Sequence, residues 1–474
     1  MNRLAKHTPN SLRMARRLTA MLFMAMLLAA CGSEGNVRER DVEPAKIKVM
    51  YWSEQAFNHT YGWLFSALHP HIGLEVADLN SYRYDADEDF DARFEAFIRD
   101  EKPDVLLLLN PDQFAKYAAG GRLVPLESYA ARDRFDLDGL IPGMVDWLRA
   151  KGGGELFGLA PWFSSLAVYY NKDLFDRHGV EYPTDNMSWE ELLGLAARFP
   201  TETAESGRLY GLVVPDLYGR DADLHELGKR IGTTMGLRLV NPADNRVAID
   251  SESWIRAYEL AFAALRSGTL YRNEGLDGVW SDGEYMLWEP FIGGRAAMEI
   301  GDAHMMGQIR EAVLAAPDKA VNNWDIVTVP VDPANPGYSH DVTFGEIFAI
   351  NAESANRDAA WAFIRYIHSD EYARVTSNSI YGEFPTRPNY IQDENGRNLA
   401  AFYALKPADS NLQTDLDRLP PNFVSEYIGS GMLEMEAVMD DRKSVRQALA
   451  DLRVRLQAVL DAELRMADGT GGPG

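Results

Sequence analysis

The chain has 474 residues and a formal net charge of −24, and its length is sufficient for two sizeable hydrophobic cores. The acidic excess argues against nucleic-acid binding, because phosphate backbones are bound by clustered Lys and Arg, and it gives no attraction to an anionic bilayer. The only cysteine is Cys31, so neither an intramolecular disulfide nor a cysteine-based zinc cluster can form.

The N-terminus has the pattern of an export signal. Residues 1–17 contain basic side chains and no acid, and residues 18–30 are almost wholly apolar. This apolar stretch is too short for a transmembrane helix, which needs about 20 residues. Since it follows a positively charged segment, we predict that residues 1–30 are a signal peptide.

Cys31 directly follows that apolar stretch. The segment Leu28-Ala29-Ala30-Cys31-Gly32 resembles the lipobox of bacterial lipoproteins, in which the cysteine receives a diacylglyceryl group and the chain is cut just before it. The resemblance implies a lipid anchor at Cys31 and a protein at the cell membrane, facing the extracellular side or, in a host with two membranes, the periplasm. A plain secretory signal that happens to contain a cysteine is the alternative.

The two ends of the mature chain are polar. Residues 31–45 are predicted to be a flexible tether between the lipid and the folded body, and residues 466–474 a disordered tail.

The folded body alternates strand and helix patterns. Residues 47–52 and 74–79 have the character of strands, and residues 90–98 carry apolar side chains at helical spacing. Residues 105–109 are a continuous apolar run after Pro-Asp, which is typical of a strand buried on both faces of a parallel sheet. Further on, a capping box at 188–191 begins one helix and a box at 444–447 begins a long final helix. This alternation predicts an α/β fold.

Residues 154–199 resemble the family 1 extracellular solute-binding proteins of ABC importers, the group that includes maltose-binding protein. The family pattern joins a G-x-P strand end to a Y-N-K-D-L-F segment and then to a W-x-E helix start. The matching residues are Gly158, Pro161, Tyr170, Asn171, Lys172, Asp173, Leu174, Phe175, Gly179, Pro183, Ser188, Trp189, Glu190 and Glu191. Further segments agree in order at 103–126, 291–298 and 347–369, so the resemblance covers roughly residues 46–465.

The resemblance implies two α/β lobes, each a mostly parallel sheet flanked by helices, joined by a hinge of crossing strands. By analogy, the N-terminal lobe comprises 46–165 plus 343–380, and the C-terminal lobe 166–342 plus 381–465. The chain would cross between the lobes near 163–168, 341–346 and 378–386. The family mechanism is hinge closure around a ligand, with delivery to the transmembrane subunits of a permease, and it implies a monomer that catalyses no reaction.

The candidate ligand contacts follow from sugar chemistry. Sugar C–H faces stack on aromatic rings, and sugar hydroxyls bond to carboxylates and amides at strand ends. The candidates are Trp52, Glu54, Asn110, Asp112, Trp162, Trp280, Tyr285, Asp302, Phe344 and Glu346. At 344–346 the sequence has Phe-Gly-Glu in place of the small residues that are usual in the family.

Each candidate has a structural alternative. Trp52 could cap a core, Asp112 could be a helix N-cap, and the aromatic loop 280–288 could pack on a lobe. Tyr169 and Tyr170 are interpreted as core residues. The aspartates at 85, 87, 89 and 91 are interpreted as a solvated helix start, because Phe90 occupies the position where a calcium loop needs glycine.

The resulting hypothesis is a lipoprotein that captures a carbohydrate, most simply an oligosaccharide, for an ABC importer. No catalytic motif, cofactor or metal site is predicted. Two alternatives remain: a surface-anchored carbohydrate-active enzyme, and a receptor of the same fold for a metal or polyamine.

Overall fold

The computed structural model describes residues 45–81, 90–203, 207–215, 224–272, 285–376, 382–392 and 395–469. The predicted signal peptide, Cys31, Trp280 and the aspartates at 85, 87 and 89 lie outside these ranges. The final helix continues to Gly469, so the predicted disordered tail is helical over its first four residues.

The strands are short apart from those that form the two main sheets. They are β1 (Ala45–Tyr51), β2 (Ile72–Asp78), β3 (Val105–Leu108), β4 (Gly158–Leu159), β5 (Trp162–Phe163), β6 (Ala167–Asn171), β7 (Glu202–Thr203), β8 (Gly207–Arg208), β9 (Tyr210–Val213), β10 (Val240–Asn241), β11 (Arg246–Val247), β12 (Ala296–Gly301), β13 (Trp324–Thr328), β14 (Tyr338–Ser339), β15 (Ile347–Ile350), β16 (Phe384–Pro385) and β17 (Lys406–Pro407).

The helices cover the sheets and are longest at the C-terminal end. They are α1 (Glu54–Phe57), α2 (Trp63–Leu68), α3 (Phe90–Glu101), α4 (Pro111–Ala119), α5 (Glu127–Asp133), α6 (Met144–Lys151), α7 (Lys172–His178), α8 (Trp189–Ala196), α9 (Leu224–Thr234), α10 (Glu252–Arg266), α11 (His304–Ala315), α12 (Arg357–Ile367), α13 (Asp370–Thr376), α14 (Asn411–Arg418), α15 (Pro421–Met439) and α16 (Val445–Gly469). A π-helical turn at Asn58–Gly62 joins α1 to α2, and 3-10 turns lie at Leu79–Ser81, Tyr285–Trp288, Pro388–Tyr390 and Leu399–Phe402.

Several elements form where the sequence predicts them. The predicted strands at 47–52, 74–79 and 105–109 become β1, β2 and β3, and all four residues of β3 are buried. The capping box at the start of α8 is present in full, with the Ser188 hydroxyl accepting from the backbone N–H of Glu191 and the Glu191 carboxylate accepting from the Ser188 backbone.

Two sheets define the two lobes of the α/β fold. The first has the strand order β2-β1-β3-β15-β4 and the second the order β13-β6-β12-β9. Each sheet is mostly parallel, as expected, with one strand that runs against the others: β15 in the first sheet and β6 in the second. In the first sheet β1 runs parallel to β2 and β3, whereas β15 runs antiparallel to β3 and β4. The reason is topological, because β15 enters this sheet from the other lobe and so runs against the strands that point toward that lobe.

Three chain segments cross side by side between the sheets. Strand β5 pairs with β16 through Phe163 and Phe384, and the next residue, Ser164, bridges to Thr343 on the third segment. The rings of Phe163 and Phe384 lie 5.6 Å apart, and that of Phe384 lies 4.8 Å from Phe402. Aromatic packing therefore joins the crossing strands to the second lobe.

Candidate functional site

The edge of the first sheet that faces the crossing strands collects several polar and aromatic residues. The carboxyl ends of β1, β3 and β4 and the amino end of the antiparallel β15 all lie on this edge. Trp52, Asn110, Trp162 and Glu346 stand at or just beyond these strand ends. Strand ends of this kind are where ligands bind in open α/β sheets.

On the second sheet, Asp302 lies at the edge that faces the crossing strands, just beyond the end of β12. Strand β12 pairs antiparallel with β6, which places Gly301 opposite Ala167, where the chain has just left the crossing. Asp302 follows directly and therefore lies at the end of the second sheet that faces the hinge. Its carboxylate accepts from the His304 backbone N–H at 2.9 Å and lies 3.2 Å from His304 Nδ1.

Glu346 is the centre of the best-defined cluster. Its Oε2 accepts a hydrogen bond from the Tyr61 hydroxyl at 2.8 Å, and its Oε1 accepts one from Trp52 Nε1 at 3.3 Å. Trp162 Nε1 in turn donates to the Tyr61 hydroxyl at 2.9 Å. These four side chains, Trp52, Tyr61, Trp162 and Glu346, form what we call the Glu346 cluster. The cluster unites three predicted site residues with one that the sequence did not indicate, Tyr61.

The electrostatics of the cluster follow from its burial. Burial raises the pKa of Glu346 above its usual value of 4.5; the hydroxyls of Tyr61 and Tyr51 oppose that shift, and the charge of Glu383 adds to it. Burial also raises the pKa of Tyr61 well above 10, so the Tyr61 hydroxyl keeps its proton and donates it. Glu346 is therefore a half-buried carboxyl whose charge is stabilised by neutral donors.

The π-helical turn places Tyr61 in this cluster. It widens the helix by one residue, as π-turns at functional sites commonly do. The Tyr61 ring stacks on Tyr372 at 5.7 Å, and the Tyr372 hydroxyl donates to the backbone oxygen of Thr60 at 3.0 Å. A Cβ on Gly62 would come within 2.4 Å of Asn58 Oδ1, the end of a flexible side chain that would have to turn away. Helical periodicity carries no signal of such a turn, which is why Tyr61 was missed.

Glu383 extends the site along the hinge. It precedes β16, lies opposite Ser164, and accepts from the Ser164 hydroxyl at 3.4 Å. Its carboxylate is exposed and lies beside Gly345, where a Cβ would stand 3.9 Å from Glu383 Oε1. Glu383 falls within the predicted third crossing at 378–386, so the sequence located its segment without selecting the residue.

The predicted residues after β3 have separate roles. Asn110 is the N-cap of α4, where its side chain accepts from the backbone N–H of Gln113 at 2.8 Å. Asp112 is therefore not the cap that was considered for it; it lies in the first turn, exposed, with an oxygen 3.7 Å from Lys151 Nζ. Lys151 also lies 3.0 Å from Asp409, which accepts from Trp147 Nε1 at 3.0 Å.

Phe344 does not line the cleft, which corrects its place among the candidates. Its ring is 1% exposed and packs 5.4 Å from the ring of Trp147, so it is a core residue. Glu346, two residues further along the chain and just before β15, is the residue of this segment that reaches the cluster. The interpretation of Tyr169 and Tyr170 as core residues is confirmed, since both are buried.

The remaining candidates are less constrained. Trp52 is 39% exposed and donates its indole N–H to Glu346, and Glu54 is exposed in the first turn of α1. Tyr285 begins a 3-10 turn, but its side chain, like Trp280, lies outside the described part of the structure. Asp91 lies in the first turn of α3 and pairs with Lys116 at 2.7 Å, as a solvated helix start would.

Within the described ranges, no group of three or more His, Cys, Asp or Glu side chains is placed to hold a metal ion. Nor does any helix among the described residues combine the length and apolar character needed to cross a membrane. The Glu346 cluster itself combines aromatic rings, a carboxylate and a hydroxyl, which is a binding chemistry suited to polyhydroxylated solutes.

Two α/β lobes with a polar, aromatic edge beside crossing strands define a two-lobed binding protein. The sequence model of the bacterial extracellular solute-binding proteins matches residues 60–374, and the chain belongs to that family.

Individual relatives and solved structures are similar to this chain at low identity. A protein of Brucella abortus strain 2308, described as a binding protein, is 25% identical over 338 residues, which is 69% of this chain and 74% of that protein. The structure of a sugar transporter from Rhizobium etli in an open conformation aligns with 87% of this chain and 99% of its own, at 21% identity and a TM-score of 0.61. The sugar-binding protein of Xanthomonas citri aligns with 90% of this chain and 100% of its own, at 20% identity and a TM-score of 0.61.

Proposed function

We propose that this protein captures a carbohydrate between its two lobes and delivers it, chemically unchanged, to the permease of an ABC importer. The observation that carries the proposal is the Glu346 cluster. The rings of Trp52 and Trp162 offer apolar faces for stacking. The Glu346 carboxylate, whose orientation is fixed by its donors, can accept hydrogen bonds from sugar hydroxyls. The descriptions of the relatives from Rhizobium etli and Xanthomonas citri, a sugar transporter and a sugar-binding protein, support the same class of ligand.

The proposed contact set follows the two sheet edges. On the first lobe it comprises Trp52, Glu54, Trp162 and Glu346, with Asn110 and Asp112 at the rim. Asp302 contacts the ligand from the second lobe, and Trp280 and Tyr285 complete the proposed set. The lobes, 46–165 plus 343–380 and 166–342 plus 381–465, close around the ligand by bending at the crossing strands.

Calorimetry with a panel of neutral oligosaccharides and polyols tests the ligand class. We expect binding to at least one of them, and a loss of at least tenfold in affinity for Trp162→Ala, because one stacking face disappears. The matched control is Trp63→Ala, since Trp63 is 67% exposed on α2 and takes no part in the cluster. A panel that gives no heat, together with tight binding of a polyamine or a metal ion, would contradict the carbohydrate proposal.

The same incubations separate capture from catalysis. Mass spectrometry of the bound sugar after long incubation should recover it intact. Released mono- or oligosaccharides would instead identify a surface-anchored carbohydrate-active enzyme.

We also propose that the mature chain begins at a lipid-modified Cys31 and works outside the cytoplasm as a monomer. The solute-binding family is extracellular, and a covalent lipid compensates for an acidic body that an anionic bilayer does not attract. Expression of Cys31→Ser with labelled palmitate tests the anchor: the wild type should carry label and sediment with membranes, and the variant should do neither. Equal labelling of the two proteins would refute the anchor.

A further inference from the structure

We propose that Glu346 and Glu383 make the cleft select neutral carbohydrates over those that carry a carboxylate, and that Glu383 sets this selectivity. The inference rests on the proposed function, because it assigns a charge preference to the same cleft.

The two carboxylates belong to adjoining crossing strands. The pairing of Phe163 with Phe384 places Glu383 opposite Ser164, and Ser164 bridges on its other side to Thr343. The carboxylate of Glu383 reaches across these paired segments to the chain at Gly345, where a Cβ would stand 3.9 Å from Glu383 Oε1. Gly345 immediately precedes Glu346, so both acids lie on the surface where the chain passes between the lobes.

Within the described ranges, the partners of both carboxylates are neutral donors. Glu346 accepts from Tyr61 and Trp52, which are neutral donors, and Glu383 accepts from the Ser164 hydroxyl at 3.4 Å. Among the residues that the structure describes, no Lys or Arg forms an ion pair with either acid. Two negative charges therefore face any ligand that enters beside the crossing strands.

Three bases around the crossing segments are already engaged by acids. His304, whose ring a Cβ on Gly382 would meet, has its Nδ1 3.2 Å from Asp302. Lys151 lies 3.0 Å from Asp409 and 3.7 Å from Asp112. Arg230 lies 3.2 Å from Asp341, at the start of the second crossing. A ligand carboxylate would have to displace one of these partners to gain a counter-charge.

The two acids have different parts in this selectivity. Glu346 is held in place by two donors, so its remaining lone pairs are oriented toward ligand hydroxyls. Glu383 is exposed and held by one long hydrogen bond, so its main effect on a ligand is electrostatic. Repulsion of the wrong ligand is a common source of specificity in binding sites.

The test compares neutral trisaccharides, such as maltotriose and cellotriose, with the same trisaccharides oxidised at C6 to uronic acids. Calorimetry on the purified protein in ~0.15 M salt screens the charge of the distant surface. The readout is the ratio of the uronate Kd to the neutral Kd. The variant is Glu383→Gln, and the matched control is Glu436→Gln, an exposed acid on helix α15 whose side chain makes no hydrogen bond or ion pair within the described structure.

We expect the wild-type protein and Glu436→Gln to share one ratio of at least tenfold, and Glu383→Gln to lower that ratio by roughly tenfold, as the loss of one nearby unit charge would. A wild-type protein that binds the neutral and uronate forms equally would overturn the inference and leave the proposed function standing. So would a Glu383→Gln ratio equal to that of the control. Failure of every neutral and oxidised carbohydrate to bind would instead overturn the proposed function.

Discussion

The hydroxyl of Tyr61 links Trp162 to Glu346, and Tyr61→Phe removes it without changing the ring. The hydroxyl donates to Glu346 at 2.8 Å and accepts from Trp162 Nε1 at 2.9 Å. Since Tyr61 is fully buried, no new side chain can enter to replace it. The variant therefore leaves a half-buried carboxylate short of one donor and an indole N–H without its acceptor.

The size of the effect can be worked from these two bonds. A hydrogen bond to a charged group contributes about 1.5–3 kcal/mol, and one between neutral groups about 0.5–1.5 kcal/mol. Because Glu346 and Trp162 are only half-buried, water can recover part of the loss. We therefore expect Tyr61→Phe to lower the free energy of unfolding at pH 7 by roughly 2 kcal/mol.

Urea denaturation followed by tryptophan fluorescence measures this loss, and a double-mutant cycle with Glu346→Gln isolates the tyrosine–carboxylate bond. The matched control is Tyr372→Phe, which removes a neutral bond from the neighbouring stacked ring and should cost about 1 kcal/mol. The coupling between Tyr61 and Glu346 should be roughly 1 kcal/mol or more. A loss for Tyr61→Phe no larger than that of the control, with no coupling to Glu346, would refute the reasoning.

Three further outcomes are expected. Burial and the charge of Glu383 raise the pKa of Glu346, so the folded protein keeps a proton on Glu346 at pH values where the unfolded chain has lost it. The contribution of Glu346 to the free energy of unfolding therefore falls as pH rises above about 4.5. The stability of Glu346→Gln relative to wild type should therefore increase from pH 4 to pH 8 in urea titrations, and a flat or falling difference would contradict the pKa direction. Gly382→Ala should lower the free energy of unfolding by about 1–2 kcal/mol, because Gly382 has a φ of +79° and its added Cβ would meet the His304 ring. Adding His304→Ala should restore only the part of this loss that comes from the steric clash. Strictly additive losses in the double variant would argue against that contact. Phe344→Ala should lower the free energy of unfolding by about 3–5 kcal/mol, as a buried aromatic does, and a loss under about 1 kcal/mol would show that the ring is not a core residue.

The local elements of this protein were predictable because their signals are local. Strand β3 is a continuous apolar run, and the box at Ser188 and Glu191 begins α8 through contacts three residues apart. The order of these elements, together with the resemblance over 154–199, gave the two-lobed α/β fold and the segments that cross between the lobes. The polar and aromatic residues just beyond β1 and β4, Trp52 and Trp162, could likewise be selected from the chain alone.

Only the tertiary structure decided which of the candidates meet. Tyr61 and Glu346 are separated by 285 positions in the chain, and no spacing rule relates them, so Tyr61 was missed while Phe344, two residues from Glu346, was wrongly included. The direction of β15 was also undetermined, because a short apolar strand has the same pattern in parallel and antiparallel sheets. Sequence periodicity reports which face of an element is apolar, whereas the partners of a half-buried polar group depend on how distant segments pack. The sequence thus determined the kind of chemistry at the sheet edge, and packing across the crossing strands determined which side chains make up the site.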